Sequence, residues 1–75
     1  MMSEAEIILA SEPDYDGLFA EIYFRGKFFA RLSCDDGTIM LETPGPGLNE
    51  AAILHSVELC DFLHAVERAR QRLLG

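Results

Sequence analysis

The side chains in this sequence best suited to holding a metal or acting as a nucleophile are two cysteines and two histidines. Cys60 and His64 stand four residues apart in a segment of helical period, so both could reach one ion, and Cys34 and His55 could complete a Cys2His2 set. There is no CxxC or HxxxH pair, so no metal ligand is assigned, and a small metal or ligand site at Cys60/His64 stays an alternative. Acyl-transfer chemistry would need an activated Ser or Cys held by a His, and no GxSxG elbow is present. The glycines of the PGPG stretch, Gly45 and Gly47, lack the spacing and the lysine of a phosphate loop. The expectation is therefore a non-enzymatic protein with no cofactor.

Two other groupings carry potential for recognition. If four strands run as a meander, the first and third turns share one end of the sheet, which brings Glu12, Asp14 and Asp16 beside Asp35 and Asp36. Such an acidic rim suits a cation or a basic protein surface, although its spacing is not that of an EF-hand. The second grouping is a sheet face that presents Phe19, Tyr23, Phe29 and Met40 around Glu21, Arg31 and Glu42. Several aromatic residues on one solvent face read as an interface, for a protein partner or for a homodimer.

These side chains depend on the strands that place them. From Leu18 onward, Leu18, Ala20, Ile22 and Phe24 alternate with Phe19, Glu21, Tyr23 and Arg25, and β-branched and aromatic residues fit a pleated surface. A second run of the same kind follows Gly26. A three-residue loop, 25 to 27, pairs Phe24 with Phe28, Ile22 with Ala30, Ala20 with Leu32 and Glu21 with Arg31. A two-residue loop would slip the register and mix core with solvent residues. Asp36-Gly37 is a strong two-residue hairpin signal, and it pairs Leu32 with Leu41 and Arg31 with Glu42. Both turns place Arg31 between two glutamates. The inner face is then Ala20, Ile22, Phe24, Phe28, Ala30, Leu32, Cys34, Ile39 and Leu41.

Upstream, the segment 4 to 10 reads as a first strand with Ile7 and Leu9 inward, and 11 to 17 as a turn. Downstream, the prolines and glycines of 43 to 49 end the fourth strand. A single helix over 50 to 74 would be about 38 Å long and out of phase with itself, whereas a sheet of seven-residue strands spans about 23 Å. The pattern predicts a helical turn over 49 to 52, an extended 53 to 55, and a main helix over 57 to 74 capped by Ser56. Its stripe of Leu59, Phe62, Leu63, Val66, Ala69 and Leu73 covers the sheet. The fold class is α+β: a four-stranded antiparallel meander with one C-terminal helix on one face, ββββα in two layers.

Size allows one domain, residues 1 to 75, with a small core. A hydrophobic fraction of 49% is too high for disorder, and a formal charge of −7 opposes binding to nucleic acid or to anionic membranes. No apolar run reaches the length of a membrane span, and the first residues lack the pattern of a signal peptide, so a cytoplasmic location is expected. Two cysteines in a reducing compartment are expected to be thiols.

The stretch AEIYFRGKFFARLSCDDGTIMLETPGPGLNEAAI followed by an amphipathic helix resembles small acidic uncharacterised bacterial proteins, some of them similar to immunity proteins of toxin systems. EPDYDGLFAEI resembles the opening of HicB-type antitoxins, with FRGKFF where that family has a DLPG-like element. The resemblance implies an acidic binding protein that blocks a partner, and no functional residue is carried over from it.

Overall fold

The computed structural model describes residues 5–11, 17–45 and 49–75. Four strands, β1 (Ala5–Ser11), β2 (Leu18–Phe24), β3 (Lys27–Asp35) and β4 (Thr38–Glu42), form an antiparallel sheet in sequence order. A 3-10 turn (Glu50–Ala52) follows, and then the helix α1 (Leu59–Leu74), which lies on one sheet face. The fold is ββββα.

The core sits between α1 and the inner face. Ala5, Ile7, Ala20, Ile22, Phe24, Leu32, Ala65 and Ala69 form it, with Phe29, Ile39, Leu54, Val57, Val66 and Leu73 packed around its rim. Two small helical residues, Ala65 and Ala69, let the helix backbone approach the sheet where Ile22 and Leu32 are fully buried. On one flank, Arg68 Nη1 donates to the Ala5 carbonyl at 3.1 Å and Arg72 Nη1 to the Ile7 carbonyl at 2.7 Å, which fixes the helix over the free edge of β1.

That anchoring corrects the predicted stripe. Leu59 and Leu63 are 65% and 55% exposed, because at 100° per residue they lie on the side of the helix away from Arg68 and Arg72. Ala65, absent from the stripe, takes the central place. The helix also starts two residues late. Glu58, not Ser56, is the N-cap, with extended backbone and its carboxylate accepting from the Asp61 N–H at 2.9 Å, while Val57 stays outside the helix and packs on the core. The break before the helix is present: Asn49 caps the 3-10 turn through its side-chain oxygen, and Ile53 is extended.

The β2–β3 connection is the main departure from the sequence reading. Arg25 and Gly26 have φ of 54° and 79°, the two left-handed residues of a type I′ turn, so the loop has two residues and Phe24 pairs with Lys27. Further from the turn, Ile22 still pairs with Ala30, Ala20 with Leu32 and Glu21 with Arg31. A bulge reconciles the two. Tyr23 pairs with Phe28 and Ile22 with Ala30, so Phe29 is an extra residue in β3. The bulge turns Phe29 toward the helix, where it meets Phe24 and Phe62 edge to face, both with ring centroids 5.7 Å apart. Phe28 moves to the outer face beside Tyr23. The expected positions of Phe28 and Phe29 are therefore exchanged. At the β3–β4 turn, Asp36 and Gly37 have φ of 51° and 81°, and the pairing of Leu32 with Leu41 and of Arg31 with Glu42 is as expected.

Candidate functional site

The outer face carries a row of ions with aromatic neighbours. Arg31 in β3 is paired across the sheet with Glu21 of β2 and Glu42 of β4, and its Nε donates to Glu42 Oε1 at 3.1 Å. Its guanidinium lies 4.1 Å above the centre of the Phe19 ring, which is why Phe19 is only 4% exposed despite facing away from the helix. The Tyr23 hydroxyl donates to Glu21 Oε1 at 3.2 Å, and the Tyr23 ring meets Phe28 edge to face at 5.5 Å. Burial, and then the charge and hydrogen bond of Glu21 and the charge of Glu6, raise the Tyr23 pKa above its ordinary value. The phenol is thus held in its donor form.

A groove of about 640 Å³ lies over this row. Glu21, Tyr23, Phe28, Arg31 and Glu42 form its floor, and Thr43, Pro44, Gly45, Asn49, Ala52 and Ile53 line it from the segment that follows β4. The cause is a difference in strand length. β4 stops at Glu42, opposite Arg31, so the edge of β3 near Phe28 has no partner from β4. Ile53 occupies that edge as a parallel bridge to Phe28, and the Leu54 N–H donates to the Phe28 carbonyl at 3.0 Å. Thr43, Pro44 and Gly45 thus stand over the outer side of the sheet together with Asn49, Ala52 and Ile53. Asn49 Oδ1 accepts from the Ala51 N–H at 3.1 Å and stiffens the far wall.

The structure therefore brings together four of the residues expected on this face, Glu21, Tyr23, Arg31 and Glu42. Phe19 lies alongside under Arg31, and Met40 is on the same face at 53% exposure. Phe29 leaves the group for the helix side. Phe28, Asn49, Ala52 and Ile53 join it unforeseen, and the apolar pair Ile53-Leu54 after a proline-rich loop was the one signal that the chain returns to the sheet. Asp35 and Asp36 of the acidic rim are exposed, while Glu12, Asp14 and Asp16 lie outside the described residues. Cys60 and His64 are exposed on α1, Cys34 is half-buried in β3, and His55 pairs with Glu50. Among the described residues no group of three or more His, Cys, Asp or Glu is assembled to hold a metal.

No family model, curated protein or solved structure matches this chain. Among the described residues, no helix is long and apolar enough to cross a membrane. The groove itself offers an aromatic floor, flanking carboxylates and one cation already engaged by Glu42 and Phe19.

Proposed function

We propose that the protein is a non-enzymatic interaction module whose outer-face groove takes a basic segment of a partner protein. The observation that supports this reading is the composition of the groove: Tyr23 and Phe28 offer ring surface for an alkyl stem, and Glu21 and Glu42 offer carboxylates to a Lys or Arg head. A chain of formal charge −7 also attracts a basic partner at long range and repels phosphate backbones and anionic lipid. The immunity-like and antitoxin-like resemblances imply the same kind of role, an acidic protein that blocks its partner.

The test is an amide chemical-shift titration of the labelled protein with a short unstructured peptide of Lys, Arg and Leu, beside a peptide in which Glu replaces the basic residues. The basic peptide should perturb Glu21, Tyr23, Phe28, Arg31 and Ile53, lose affinity as salt rises, and bind more weakly to Glu21→Gln. Equal response to the acidic peptide, or perturbation confined to the helix face, refutes the reading.

A further inference from the structure

The two edges of the sheet are treated differently. On β1, Arg68 and Arg72 occupy the carbonyls of Ala5 and Ile7, so that edge is closed to another strand. On β4, no described residue pairs with the free edge, and four of its five residues are exposed. The two-residue turn at Asp36-Gly37 makes Asp35 and Thr38 a hydrogen-bonded pair, and antiparallel pairs alternate from there. Thr38, Met40 and Glu42 therefore spend their main-chain groups on β3, and Ile39 and Leu41 direct theirs outward.

We infer that this edge pairs with the same edge of a second copy. Antiparallel pairing about a two-fold axis at Met40 sets Ile39 against Leu41 of the second copy, so that the outward donors and acceptors of both residues meet each other. The register matches faces as well. Ile39 and Leu41 lie on the helix side of β4, so the joined sheet keeps its inner face apolar, and Leu41, 44% exposed in the single chain, gains a neighbour. Charge agrees too, since the axis places Glu42 opposite Thr38 of the second copy and not opposite its own equivalent. A slip of two residues either way would set Met40 against Glu42 or shorten the ladder. Pairing of short strands buries less than the ~800 Å² per partner of a standard interface, so the dimer is weak and concentration-dependent. Two chains of charge −7 repel each other, and added salt tightens it.

Sedimentation velocity on the full chain over a wide concentration range, at low and high salt, tests the inference independently of the groove. Wild type should pass from monomer to dimer, more readily at high salt, whereas binding of a basic peptide weakens with salt. Met40→Lys sets like charges across the axis without altering the backbone, and should weaken association by about tenfold or more. Met40→Glu should do the same, and an equimolar mixture of the two variants should recover a dimer. Leu41→Pro, which removes an outward N–H and leaves the β3 hydrogen bonds in place, should be monomeric with an unchanged circular dichroism spectrum. A wild-type monomer at every concentration and salt, or undiminished association of Met40→Lys, overturns the inference.

Discussion

Exchanging the expected places of two adjacent phenylalanines is a claim that alanine truncation can decide. Phe29 is partly buried against the core and makes edge-to-face contacts with both Phe24 and Phe62. Truncating a fully buried Phe costs about 3–5 kcal/mol. With partial burial the lost packing at Phe29 is about 2 kcal/mol, and two ring contacts add about 1 kcal/mol more. Phe28 has one such contact, with Tyr23, and its truncation opens onto the groove and leaves no closed cavity, so Phe28→Ala should cost about 1 kcal/mol. A domain of 75 residues has roughly 4–11 kcal/mol of stability in all, and each kcal/mol moves its midpoint by about 4–8 °C. Phe29→Ala should therefore melt roughly 15 °C lower than wild type, and Phe28→Ala roughly 5 °C lower. Paired urea and thermal melts followed by far-UV circular dichroism measure both. If Phe28→Ala is the more damaging, β3 alternates without a bulge and Phe28 does not floor the groove.

Three smaller effects follow from local geometry. Arg25 is left-handed at φ 54°, so Arg25→Asn, which suits the first position of a type I′ turn, should stabilise by about 1 kcal/mol in chemical denaturation. Glu58→Ala should cost about 1 kcal/mol by removing the cap on the Asp61 N–H, whereas Ser56→Ala should change stability by less than about 0.5 kcal/mol; the reverse order would restore the cap to Ser56. The Tyr23 pKa is raised by folding, so its stabilising contribution is complete below the unfolded value near 10 and is lost as pH rises through the folded one. Absorbance titration of the phenolates should show a late-titrating group that disappears in Tyr23→Phe, and a variant with no late group missing would contradict the Glu21 contact.

The strands and the helix were legible because alternation and turn residues report local preference directly. Leu18 to Phe24 can place its apolar set on one face only as a strand, and Asp36-Gly37 closes a hairpin in one way. The bulge was not legible. Phe28 and Phe29 are the same residue type, so the pattern cannot say which one faces the core, and only the conflict between a two-residue turn and an apolar register hints at an extra residue. The cap was misplaced because Ser56 is the commoner capping type and Glu58 reads as a first-turn acid, although a Glu carboxylate can also accept from a first-turn N–H, as Glu58 does here. The groove depended on a long-range event, Ile53 docking beside Phe28, which leaves no local trace beyond the apolar pair that does it.

The two arginine contacts to β1 tie together parts of the chain 63 and 65 residues apart in sequence. β2, β3 and β4 are joined by two-residue turns and can form as a local unit, whereas β1 has α1 along its far edge and β2 along the other. Closing the long loop between β1 and α1 costs conformational entropy that the helix interface returns. Opening should follow the same division, with the amides of β1 and α1 exchanging with solvent together, at a lower free energy than those at the centre of the β2–β3 hairpin. The expected behaviour is that of a hairpin nucleus with a clasp around it, in which the clasp releases while the residues that floor the groove stay in register.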